Sequence, residues 1–182
     1  MRQHLRTGPK RRLPTAVEDV NSELEPLDQA PIIATVVGTS ESADRLYRAW
    51  RAREISRGSL RNTLPLVWSY DDQAMAHLGQ DEWLELFRAA SPIRQPIDMP
   101  ALAFPLKVYR GSTHQRRRGM SWTTERHVAL QFINRHRAHG ESALYAVVIG
   151  NDAVLAHLNL RRVEFEVVVD PEMLPEPQRL TK

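Results

Sequence analysis

Between residues 91 and 105 the chain places Pro92, Pro96, Pro100 and Pro105. Each removes a backbone donor and fixes φ, so no regular element is expected to run through that stretch. The apolar pattern differs on its two sides. Upstream, Ala43, Leu46, Tyr47 and Trp50 recur at helical spacing, with capping residues at 39–42 ahead of them and Gly58 expected to close the segment. Asp71 or Asp72 would cap a brief helix ending at Gly79, and Asp81 a second one carrying Trp83, Leu84 and Phe87 on one side. Residues 32–37 form a short strand candidate, and 64–70, with Pro65 near its start, stays open between strand and turn. Downstream, 106–109, 120–123 and 143–149 read as strands, and 151–156 as a helical turn or strand. Thr123 or Thr124 would cap a helix striped by Val128, Ala129, Phe132 and Ile133. Helices followed by strands predict an α+β fold rather than a doubly wound sheet. The expected boundaries are an arm over 1–30, a helical N-terminal subdomain with its linker over 31–100, and a mixed β core over 101–182.

The arm follows from its composition, because Arg6, Lys10, Arg11 and Arg12 mix with prolines and then give way to Glu18, Asp19, Glu23 and Glu25 with no apolar period. Overall, 42% apolar and 26% charged residues in 182 suit a soluble globular chain that can bury a sizeable core. The absence of cysteine excludes disulfides, a thiolate nucleophile and cysteine metal sites. No apolar run reaches membrane-spanning length and no signal-peptide core follows the basic start, so a cytoplasmic protein is expected, with signal-independent export left open. A pI near 9.6 and clustered arginines leave room for an acidic partner such as a nucleotide or nucleic acid.

Residues 162–171 read Arg-Val-Glu-Phe-Glu-Val-Val-Val-Asp-Pro, a β-branched run entered through two carboxylates. On a continuous strand Glu164 and Glu166 project to one side, with Val163, Phe165 and Val167 on the other. Paired carboxylates at the mouth of a dry strand suit acid, base or cation-stabilising work. A solvated strand end would look the same.

Two further pieces accompany this strand: Tyr109-Arg110-Gly111 at an earlier strand end, and Ser121-Trp122-Thr123 on the next strand. In this order they resemble the motifs of the R-S-E class of ADP-ribosyltransferases, in which an arginine strand, an S-T-S-like strand and an E-x-E strand build one NAD site. The resemblance covers about 106–171 and none of the N-terminal half. Trp122 departs from the middle residue of S-T-S, while Thr123 keeps the third hydroxyl.

The resemblance implies an ADP-ribosyltransferase-like mixed β core that uses NAD as co-substrate and no metal. Arg110 would engage the pyrophosphate through its planar fork, and Gly111 would present main-chain groups to the nicotinamide carboxamide. Ser121 and Thr123 would hold the surroundings of the ribose, and Phe132 would cover the nicotinamide ring. Glu166 would stabilise an oxocarbenium-like ribosyl cation through the 2′-hydroxyl. Glu164 would face an acceptor protein, orienting its arginine. The motifs do not distinguish a toxin, a phage effector or a regulator.

Two alternatives stay open: an NAD glycohydrolase, and a non-enzymatic nucleic-acid-binding module that uses the basic arm and Arg116-Arg117-Arg118. His114, His127, His136 and His139 show no metal-ligand spacing with carboxylates, and there is no P-loop, Rossmann glycine fingerprint or nucleophile elbow.

Overall fold

The computed structural model describes residues 41–70, 78–135, 140–160 and 165–181. The basic arm, the strand expected at 32–37, the caps at Asp71 and Asp72, His136, His139 and Glu164 lie outside these residues. The fold is α+β. Helices α1 (Ser42–Arg51), α2 (Arg57–Tyr70) and α3 (Gln80–Ala90) come first, followed by strands β1 (Ile93–Gln95), β2 (Leu106–Thr113) and β3 (Ser121–Thr123). Helix α4 (Arg126–Arg135) and strands β4 (Ser142–Ile149), β5 (Val154–Leu158), β6 (Glu166–Val169) and β7 (Gln178–Leu180) complete it. The seven strands form one mixed sheet in the order β1-β5-β6-β3-β2-β4-β7. Only β1 with β5 is parallel; every other neighbouring pair is antiparallel.

Several expectations change: β2 runs on through Arg110 and Gly111 to Thr113 instead of ending at Tyr109, and the N-cap of α3 is Gly79, with Asp81 in the first turn. Helix α1 ends at Arg51 rather than near Gly58, because Ala52 closes onto Arg48 and Arg53 turns into left-handed backbone with φ 59. Gly58 instead lies in the first turn of α2, where the Ser56 hydroxyl accepts the Ser59 amide as a cap. Residues 64–70, open between strand and turn, are helical, with Pro65 buried inside α2. Proline there forgoes the bond to the Arg61 carbonyl, a loss that tertiary burial of Leu60, Leu64 and Val67 offsets. Finally, the proline-rich stretch is not wholly irregular: Ile93–Gln95 pairs with β5, and Asn159 donates its amide to the Gln95 carbonyl. The linker thus delivers the helices onto the sheet. Leu46, Leu60, Leu64, Trp83 and Phe87 share one apolar cluster with Ala156, Leu158 and Val168 of the sheet.

A second cluster fills the opposite face, where Trp122, Val167 and Val169 meet Val108, Tyr145, Val147 and Ile149. Strands β2 and β3 pair at a single position, Tyr109 with Thr123. The cluster spans that thin joint, with Val108 and Tyr145 from one side and Trp122 and Val167 from the other. Arginines then fasten the chain's last segment from both sides. Arg88 of α3 makes a paired contact with Asp170 and reaches Glu172, while Arg117 and Arg118 hold Glu176 and the carbonyls of Pro171 and Leu174. No helix among the described residues is long and apolar enough to cross a membrane.

Candidate functional site

Register decides which side chains meet. Residues opposite one another on antiparallel strands share a face, so Glu166, opposite both Thr123 and Leu158, lies on the face that carries the helices. By alternation Ser121 and Val168 are on that face too. There the Ser121 hydroxyl donates to Glu166 Oε1 at 2.5 Å, and the Trp68 indole Nε1 donates to the same oxygen at 3.0 Å. A charged acceptor makes both bonds stronger than neutral ones.

Arg110 reaches this pair by another route. It is opposite Tyr145, on the face of the second cluster. Its Nη1 donates to the main-chain carbonyl of Ser121, and its Nε to the Arg116 carbonyl at 3.1 Å. Ser121 therefore links the two charges, its carbonyl taking the guanidinium and its hydroxyl the carboxylate. Burial pushes the Arg110 guanidinium down to about 10; the Glu166 charge works against that shift and Arg116 adds to it. At neutral pH Arg110 remains charged. Gly119 lets the guanidinium lie flat on the loop, since a Cβ there would stand 2.5 Å from Nη2. In this conformation Nε and Nη1 of Arg110, the residue expected to engage a pyrophosphate, are given to the loop that leads into β3.

Gly111 has a packing reason of its own. A Cβ at this position would come within 2.1 Å of the Ala129 carbonyl and 2.9 Å of the Ile133 amide, so α4 rests directly on the strand. Thr123 is buried and its hydroxyl accepts the Glu125 amide, capping the approach to α4. Phe132 is half-buried on α4. Trp122 packs in the core and donates its indole N–H to the Gly119 carbonyl at 2.8 Å.

Strand β6 is entered through an unusual turn. Strand β6 begins at Glu166, and Phe165 before it has φ 44, left-handed backbone that a bulky residue rarely adopts. The Phe165 carbonyl is held by the Thr124 amide at 3.3 Å. Regular strand alternation therefore begins at Glu166. Such a conformation persists only where its surroundings over-determine it, and it concentrates at functional sites.

Comparison with protein-family models, curated proteins and solved structures returned no match. The site therefore rests on its own geometry. Trp68 was missed by sequence reasoning because its contact with Glu166 spans 98 positions, and nothing local marks a tryptophan on an apolar helix as a carboxylate partner. Of the arginine run, Arg117 and Arg118 are engaged with the chain's last segment, and Arg116 is exposed.

Proposed function

We propose that this chain cleaves the glycosidic bond of NAD and transfers ADP-ribose to a protein side chain, arginine being the acceptor best suited to a glutamate beside the site. The observation that carries this reading is the 2.5 Å bond from Ser121 to the Glu166 carboxylate, with Arg110 anchored on that serine's own carbonyl. The three residue types of the R-S-E resemblance, up to 56 positions apart in sequence, belong to one connected cluster. An ADP-ribosyltransferase-like core is the finer reading of the α+β fold.

In this reading the C1′–N bond breaks with its electron pair leaving on nicotinamide, and the acceptor nitrogen then bonds to C1′ and gives up a proton. Glu166, oriented by its donors, stabilises the positive charge on the ribosyl ring more in the transition state than in the ground state. Ser121 keeps the carboxylate in place. Arg110 holds β3, and a pyrophosphate would have to compete for donors now given to the Arg116 and Ser121 carbonyls. Glu164 is assigned to the acceptor. Engagement of Arg117 and Arg118 within the fold leaves the nucleic-acid reading with less basic surface than the sequence suggested.

The test is incubation of the full chain with labelled NAD and a cell lysate, with nicotinamide release measured alongside. Labelled protein bands that vanish with Glu166→Gln support the transferase. Release without labelling would select the glycohydrolase, and no release together with salt-sensitive nucleic-acid binding would overturn the proposal.

A further inference from the structure

We infer that Trp68, on a helix outside the sheet, is a positioning residue for Glu166; the inference deepens the proposal above and rests on its assignment of Glu166. Two donors converge on Glu166 Oε1 from different layers of the molecule, Ser121 from the sheet and Trp68 from the helices. One donor leaves a carboxylate able to rotate about its bond to the chain. Two donors from separate layers hold Oε1 from two directions and so restrict that rotation. The donor's own orientation is fixed as well. The Trp68 ring meets Trp83 edge-on at 5.0 Å and 81° and Phe87 at 5.1 Å and 90°. Trp83 and Phe87 are fully buried and Trp68 is 9% exposed. Tilting the indole away from the carboxylate would break both edge-to-face contacts and open a void in a close-packed cluster. The aromatic cluster of α2 and α3 therefore has a second task besides packing: it aims an N–H at the reacting carboxylate. The helical half, which carries none of the motifs, thereby completes the site.

The experiment pairs a spectroscopic readout with a kinetic one. With the four tryptophans labelled at the indole nitrogen, the Trp68 signal is identified by its contacts to the Trp83 and Phe87 rings and by its loss in Trp68→Phe. Glu166→Gln, nearly isosteric, should move that signal far more than the other three, because a charged acceptor becomes neutral. Trp68→Phe keeps the ring packing and removes the donor. It should lower kcat for nicotinamide release about tenfold, the worth of one hydrogen bond to a charged group, with KM for NAD changed less than about twofold. An indole signal indifferent to Glu166→Gln overturns the inference without reference to NAD, even if Trp68→Phe fails to fold. A folded Trp68→Phe with wild-type kcat overturns it too. A responsive indole in a wild-type protein that releases no nicotinamide overturns the NAD reading, and the positioning role falls with it while the contact stands.

Discussion

Gly111→Ala tests the closest approach in the fold. The new methyl would sit 2.1 Å from the Ala129 carbonyl and 2.9 Å from the Ile133 amide, both main-chain atoms of α4 that no rotamer change can clear. An ordinary carbon–oxygen contact needs about 3.3 Å, so helix and strand must part by roughly 1 Å. Overpacking a filled core costs about 1–3 kcal/mol, and a clash with backbone belongs at the upper end, near 3 kcal/mol. For a chain of this size that lowers Tm by about 6–12 °C. Gly58→Ala is the matched control: its Cβ meets only the Ser56 hydroxyl at 3.6 Å, in the first turn of α2. Alanine there should stabilise by about 0.4–1 kcal/mol through the unfolded chain. Urea unfolding followed by circular dichroism gives both values. Gly111→Ala within about 0.5 kcal/mol of wild type would refute the contact of α4 with β2.

Ser121→Ala should leave the fold intact and slow nicotinamide release about ten- to a hundredfold, the loss of a hydrogen bond to a charged group; unchanged kcat in a folded variant would remove Ser121 from the site. Glu166→Gln should abolish nicotinamide release and protein labelling together, whereas Glu164→Gln should reduce labelling and retain much of the release; equal loss of both activities in the two variants would end that division of labour. Arg110→Ala strips donors from the Ser121 and Arg116 carbonyls and should cost about 2 kcal/mol in a urea melt, and a neutral result would mean that the guanidinium does not hold the loop. His157 on β5 is buried, and its Nδ1 has no partner among the described residues. Burial first, and Arg94 second, hold its imidazole below the ordinary value. Its neutral form favours folding fully above about pH 6.5, and that stability is lost as pH falls from there toward the lowered folded value. His157→Leu should flatten the decline in stability between pH 7.5 and about 5.5; an unaltered slope would assign it to other groups.

Much of the strand half was legible because its signals are local. Val108 and the run Val167 to Val169 mark buried strands by composition, and Val128 and Ala129 mark the buried stripe of α4. The α+β class followed from their order along the chain. What escaped depends on distant partners. Pro65 masked α2 because proline normally ends a helix, and only burial against α3 and the sheet offsets its missing bond. With α2 unread, Trp68 had no place from which to reach Glu166. Strands β1 and β7 are three residues each and owe their state to the neighbours that pair with them. The left-handed turn at Phe165 has no sequence mark, since a phenylalanine is among the residues least suited to it.

The strand order has a bearing on how the protein is made. Strands β1 and β5 on one side, and β3, β2 and β4 on the other, come into hydrogen-bonded contact only through β6, which follows all of them in the chain. Without residues 166–169 the strand pairings connect the sheet only as two unjoined pieces. The segment that unites them begins with the proposed reactive carboxylate, Glu166. A chain cut before residue 166 therefore has neither a continuous sheet nor Glu166 in place. Joining the two pieces of the sheet and placing that carboxylate depend on the same four residues, 166–169.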